Sequence, residues 1–283
     1  MIDETVAEIS DMQTHSSSVV AVKAARALRS LADDEYPTVE EYVRTLERNS
    51  NALRRANRSH ASLQTTQREV LNRVESADAD SVTEARRLTR EVVDEVIDRV
   101  ESAKRRAAER AVDHLVDGTT VLTHDYSSTV LEAFELAVDA GAELDVYCTE
   151  ARPRYLGRKM ARTLGKMDGV DATLLVDGAS GHLLPECDQV VVGMDCIVDD
   201  TLYNRVGTYP LAATAADVGV PVRVVGAESK VVDGAFAFEN EHRPASEVTL
   251  EPAEGFDVAN PAYDATPTRL LDAVVTDETT HDC

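Results

Sequence analysis

Two halves of different periodicity predict a mixed α/β protein. An all-helical domain is expected over residues 1–116, followed by a domain over residues 117–283 built on a mostly parallel sheet. Residues 1–115 contain one proline and no glycine, a composition suited to helices. After Asp117-Gly118, short β-branched runs alternate with helical stretches. Such alternation implies parallel strands covered by helices on both faces. With 283 residues, the chain can bury one large core or two ordinary ones.

In the first half, Val19, Val20, Val22, Ala25, Leu28 and Leu31 recur at helical spacing. Pro37 is expected in the first turn of a second helix carrying Val39, Tyr42, Val43 and Leu46. Residues 81–116 read as one long amphipathic helix. Its apolar stripe is Val82, Ala85, Leu88, Val92, Val96 and Val100, with charges between. In the second half, strands are expected at 119–123, 144–148, 172–176, 189–193 and 222–225. Helices are expected at 127–140, 157–166 and 207–218.

Asp and Glu number 52 against 29 Lys and Arg, a net charge of −23, and only five of the basic residues are lysine. This composition predicts adaptation to high salt, because at molar salt the Debye length falls to roughly 3 Å and carboxylate repulsion is screened. It argues against direct nucleic-acid binding, which needs a basic stripe. No apolar run approaches the roughly 20 residues of a membrane span, and the acidic N-terminus lacks a signal peptide's features. Cys148, Cys187, Cys196 and Cys283 form no C-x-x-C pair. Neither a disulfide framework nor a metal site is expected, no cofactor is implied, and a reducing cytoplasm is the expected setting.

In parallel sheets, ligands bind at the carboxyl ends of the strands, where the strand order reverses. The residues after each strand are therefore the ones to read for chemistry. Ser127 and Ser128 open a helix after Asp125, where free amides and hydroxyls cradle a phosphate or simply cap the helix. Arg152, Arg154, Arg158 and Lys159 form the densest basic cluster of the chain. Arginine suits bidentate phosphate recognition, and surface ion pairing is the alternative. Asn204 and Arg205 lead through Gly207 into another helix and are again suitable phosphate ligands, with close packing at Gly207 as the alternative. Asp195 ends an apolar strand, where a carboxylate serves as an acid/base or caps a turn. If the strands before Asp125 and Asp195 adjoin, the two carboxylates form a pair. Cys148 and Cys196 are expected to be inert core thiols.

These segments, taken together, resemble one family. It groups the α, β and δ subunits of eukaryotic translation initiation factor 2B with isomerases of methylthioribose-1-phosphate and ribose-1,5-bisphosphate. The resemblance rests on Val121-Leu-Thr-His-Asp-Tyr-Ser127, Thr149-Glu-Ala-Arg-Pro153, Gly157-Arg-Lys-Met-Ala161 and Gly193-Met-Asp195. Asn204-Arg-Val-Gly-Thr-Tyr-Pro-Leu-Ala212, Pro221-Val-Arg-Val-Val225 with Ser229-Lys230, and Val258–Pro267 complete it. It implies an N-terminal helical domain, a C-terminal Rossmann-like domain and a homo-oligomer built on a dimer. In the isomerases a Cys and an Asp at two strand ends do the chemistry. The Asp position matches Asp195, and Asp125 stands at the Cys position. Their Arg-Gly-Ala phosphate loop is replaced by Thr14-His15-Ser16-Ser17-Ser18. Leu156 stands for a Gln, and Arg205 for a Lys.

The departures favour a regulatory protein resembling the initiation-factor subunits. It would bind a sugar phosphate or nucleotide monophosphate, without the isomerase chemistry, and act through oligomerisation or a protein partner. The alternative is a ribose-1,5-bisphosphate-type aldose–ketose isomerase using Asp195 and Asp125. A third reading is a structural oligomer whose pocket has decayed.

Overall fold

A computed structural model describes residues 2–10, 17–232, 238–251 and 253–283. The chain divides into two compact units, Met1–Ala103 and Lys104–Cys283. Of the Thr14–Ser18 segment, residues 14–16 lie outside the described residues.

The first unit is helical. It contains α1 (Ile2–Ser10), α2 (Ser17–Ser30), α3 (Val39–Ala56), α4 (Ala61–Ser76) and most of α5 (Val82–Ala111). Leu28, Leu46, Leu53, Leu63, Val70, Val93 and Val96 are fully buried in its core. Burying each such side chain is worth about 1.5–3 kcal/mol. Tyr42 is buried too, and its hydroxyl donates to Thr89 Oγ1 at 2.7 Å, so its one polar atom is satisfied. Pro37 precedes the helix instead of opening it. Thr38 is the N-cap, its Oγ1 accepting the Glu41 N–H at 3.2 Å, so the first turn begins at Val39. The long helix stops at Ala111, where the chain tightens into a 3₁₀ turn, Val112–His114.

The second unit carries two sheets. Its elements are β1 (Thr119–Thr123), α6 (Ser128–Asp139), β2 (Leu144–Thr149), α7 (Leu156–Leu164), β3 (Val170–Leu175), α8 (Ser180–Leu183), β4 (Gln189–Gly193), β5 (Cys196–Val198) and β6 (Thr201–Arg205). There follow α9 (Thr208–Val218), β7 (Val222–Val225), β8 (Val231–Val232), β9 (Tyr263–Pro267), β10 (Ala273–Val275) and β11 (Thr280–Asp282). The large sheet runs β11-β10-β7-β4-β1-β2-β3, all parallel except β11. All five expected strands are present, β3 beginning two residues early. The smaller sheet, β8-β5-β6-β9, was not anticipated from the sequence.

Strand side chains alternate between faces. Val121 and Val191 join Phe134, Met160 and Leu164 in one buried cluster. Leu122, Val190 and Val192 join Leu184, Leu211 and Ala215 in another. Helices α6 and α7 thus cover one face and α9 the other, as a parallel sheet requires.

Candidate functional site

The chain passes from β1 outward through β2 to β3, then returns to place β4 on the other side of β1. The strand order therefore reverses between β1 and β4, and in open parallel sheets ligands bind at the carboxyl ends of the strands at such a point. Residues 124–127 follow β1, and Met194 and Asp195 follow β4. The strands before the two carboxylates do adjoin, pairing Val121 with Gln189 and Leu122 with Val190.

His124 fixes this end of the sheet. It is buried, its Nε2 donates to the Val206 carbonyl at 2.9 Å, and its Nδ1 lies 2.6 Å from Thr149 Oγ1. A carbonyl only accepts, so Nε2 carries hydrogen, and Nδ1 shares the second hydrogen bond with the Thr149 hydroxyl. Gly207, at φ 108°, lies against this ring. A Cβ there would come within 2.6 Å of His124 Nε2. The β6–α9 turn is thereby held over the end of β1.

Asp125 follows in a left-handed backbone conformation, φ 65°, which aspartate tolerates better than most residues. Its Oδ2 accepts a hydrogen bond from Arg205 Nε at 3.0 Å. Both side chains are largely buried, at 12% and 9% exposure. Burial disfavours the Arg205 charge, but Asp125 and then Asp195 hold its pKa above the ordinary arginine value. Arg205 thus lies in the field of both carboxylates. Asp125 Oδ1 and Arg205 Nη1 are buried without hydrogen-bond partners. Each such atom costs about 1–3 kcal/mol unless a polar atom reaches it.

Asp195 is half-buried, its backbone N–H donating to the Tyr203 carbonyl. Two further groups face it that sequence reasoning did not single out as site residues. Lys230 is buried and donates from Nζ to the Met194 carbonyl at 2.8 Å. Burial lowers its pKa, with Asp195 opposing the shift. Tyr263 lies with its ring centroid 5.1 Å from the Arg205 guanidinium carbon. Burial, and next Asp195, raises the pKa of its phenol.

The remaining expected ligands divide. Ser127 caps α6, its Oγ accepting the Val130 N–H at 3.3 Å, and Ser128 opens the helix. Asn204 is buried and donates to Thr208 Oγ1. At the start of α9, the Gly207 and Tyr209 amides both donate to Asp264 Oδ2, at 2.8 and 3.0 Å. An internal carboxylate therefore takes the place at this helix start that the sequence offered to a phosphate. The basic cluster also splits. Arg158 pairs with Glu150 at 2.5 Å and stacks on Tyr155. Arg152 is exposed and donates to the Val248 carbonyl, while Asp177 holds its backbone N–H. Arg154 is the member drawn inward. Its pKa is lowered by burial first, then by Arg243 and Arg205.

Cys148 and Cys196 are fully buried, and burial pushes the Cys148 thiol up to about 12. Cys196 is raised for the same reason, with Asp195 adding to the effect. Neither thiol can ionise near neutral pH. Among the described residues, no group of three or more His, Cys, Asp or Glu could hold a metal ion, and no helix is long and apolar enough to cross a membrane.

Residues 13–281 match the Initiation factor 2 subunit family. A ribose 1,5-bisphosphate isomerase of Haloferax volcanii is 31% identical over 285 residues, covering 98% of this chain and 87% of the relative. The structure of Pyrococcus horikoshii OT3 translation initiation factor eIF-2B superposes with a TM-score of 0.82 at 24% identity, over 99% of this chain and 96% of that one. A chain of the tetrameric eIF2B-beta2-delta2 complex from C. thermophilum superposes with a TM-score of 0.75 at 18% identity, over 99% and 90%. The two structural likenesses concern the fold, whereas the sequence match spans nearly the whole chain. By that match, and by the strand-end motifs it runs through, this chain belongs to the Initiation factor 2 subunit family.

Proposed function

We propose that this protein is an aldose–ketose isomerase of the ribose-1,5-bisphosphate type. Its sugar phosphate would bind at the carboxyl ends of β1, β4 and β6. The observation that carries this reading is Arg205, a buried guanidinium in the field of Asp125 and Asp195 with one N–H group unsatisfied. A phosphate oxygen satisfies that donor. The relatives support the isomerase over the regulatory reading, since ribose 1,5-bisphosphate isomerases at about 30% identity match along 96–98% of this chain.

Converting a ribose 1-phosphate to its ketose breaks the bond between C1 and the ring oxygen and moves the C2 hydrogen to C1. The ring oxygen gains a proton and the C2 hydroxyl loses one. Atoms and electrons balance within the sugar, so the protein needs only a group that gives a proton and one that takes it. Asp195 and Asp125 are the proposed pair, Arg205 the proposed phosphate ligand, and Ser127, Ser128 and Arg152 the proposed rim. Asn204 supports the turn, and Arg158 acts through Glu150 rather than on the ligand. The active form is proposed to be a dimer-based homo-oligomer working in high salt.

Turnover of ribose-1,5-bisphosphate in molar KCl tests the reading. Asp195→Asn should lower kcat by about 10²–10⁴-fold while ligand still raises the melting temperature. One observation favours a second reading, a regulatory binder of sugar phosphate or nucleotide monophosphate. Asp125 stands where the resemblance places a thiol, and no other thiol can ionise nearby. Saturable ligand stabilisation without turnover would select it.

A further inference from the structure

Asp125 holds Arg205 through one hydrogen bond, from Nε to Oδ2 at 3.0 Å, and its other oxygen has no partner. A two-point fork would fix the plane of the guanidinium, but a one-point contact leaves it free to turn. Arg154 and Arg243 also act on Arg205 as like charges. A guanidinium in this setting keeps its direction only if something packs against its flat face.

Tyr263 supplies that contact. It stands opposite Arg205 in the antiparallel register of β6 and β9, so the two side chains leave the small sheet on one face. The guanidinium carbon lies over the ring, 5.1 Å from its centroid, and both residues are buried. The attraction is stronger in such a desolvated place than at an exposed one. The ring is braced in turn. Phe238 packs at right angles to it, with centroids 5.3 Å apart, and stacks on Tyr203, two residues before Arg205 on β6. Asn240 brackets the Tyr263 backbone. Its Nδ2 donates to the Tyr263 carbonyl at 2.8 Å, and its Oδ1 accepts the Tyr263 N–H at 3.2 Å. Burial, and next Asp195, keep the phenol protonated near neutral pH, so Arg205 meets the face of a neutral ring.

We propose that Tyr263 is a positioning residue of the sugar-phosphate site, its ring holding the Arg205 guanidinium so that Nη1 stays presented to the ligand. The inference rests on the reading of Arg205 as the phosphate ligand. Tyr263 acts through Arg205, by its ring rather than its hydroxyl.

The test titrates the full chain with ribose-1,5-bisphosphate in molar KCl and reads an apparent Kd from the rise in melting temperature. Tyr263→Leu should weaken binding by about tenfold, and Tyr263→Phe should stay within about threefold of the wild type. Arg205→Lys keeps the charge beside Asp125 but removes the flat face. It should weaken binding too, and adding Tyr263→Leu to it should cost little more. A Tyr263→Leu variant that binds like the wild type overturns the proposal and leaves the phosphate reading standing. A Tyr263→Phe variant as weak as Tyr263→Leu also overturns it and assigns the hydroxyl to the ligand. Additive losses overturn it and assign the ring to direct ligand contact. No binding by the folded wild type, or binding unchanged in Arg205→Lys, overturns the reading of Arg205 and this inference with it. If Tyr263→Leu fails to fold, side-chain NMR of the wild type decides. The Arg205 Nη resonances should be separate, and resonances averaged by free rotation overturn the proposal.

Discussion

Arg205 holds a buried carboxylate on one side and keeps a free donor on the other. Replacing it with Met strands Asp125 as an unpaired buried charge. Arg205→Met should therefore destabilise the protein by about 3–5 kcal/mol in urea denaturation, and Asp125→Asn combined with it should recover part of that loss. Glu247 gives a pH prediction. Its hydrogen bonds from Arg243 hold its pKa below the usual 4.5. A carboxylate depressed in the folded state stabilises above its unfolded pKa, and that stabilisation is lost as pH falls through the folded value. Glu247→Gln should accordingly flatten the fall of stability with pH below about 4.5, measured as melting temperature against pH. The thiols give a third. Cys148, Cys187 and Cys196 are buried and Cys283 is exposed, so native alkylation at pH 8 should modify Cys283 alone by mass spectrometry. Asp125 and Asp195 were legible in the sequence because each follows closely on an expected strand, and Arg205 because it leads through Gly207 into an expected helix. Arg154 and Arg158 were not separable, because their difference depends on Glu150 capturing one of them. Arg243 reaches the same region from a distant loop, and no local pattern announces that.

The β6–α9 turn shows how an element depends on one residue. Gly207 has a positive φ and faces the buried His124 ring, which is held by hydrogen bonds on both nitrogens. Gly207→Ala should cost about 1–3 kcal/mol, read from the denaturation midpoint at unchanged slope. The five main parallel strands were readable because each is a short run rich in β-branched or apolar residues, set off by turn residues and most of them separated by helical stretches. The smaller sheet was not, for a local reason and a distant one. Strands β5 and β6 turn through Asp199-Asp200, with Asp199 at φ 48°, rather than through the Asn-Gly or Asp-Gly pair that signals a hairpin. The partner strand β9 begins 58 residues after β6 ends, so nothing nearby marks the pairing.

At the scale of the whole molecule, the net charge of −23 gives a prediction about salt. Lowering KCl from molar to about 0.1 M lengthens the Debye length from roughly 3 to 10 Å and exposes carboxylates to each other. The melting temperature should fall with it, more than in a variant with surface glutamates replaced by glutamine. The pairing of β1 with β4, where the strand order reverses, is what brings Asp125 and Asp195 to adjacent strand ends. The most direct measurement of the central claim is therefore the rate of ribose-1,5-bisphosphate isomerisation by pure protein in molar KCl, beside Asp195→Asn. The expected result is turnover by the wild type that falls by about 10²–10⁴-fold in the variant. No turnover by a folded, ligand-stabilised wild type, or turnover unchanged in the variant, would contradict it.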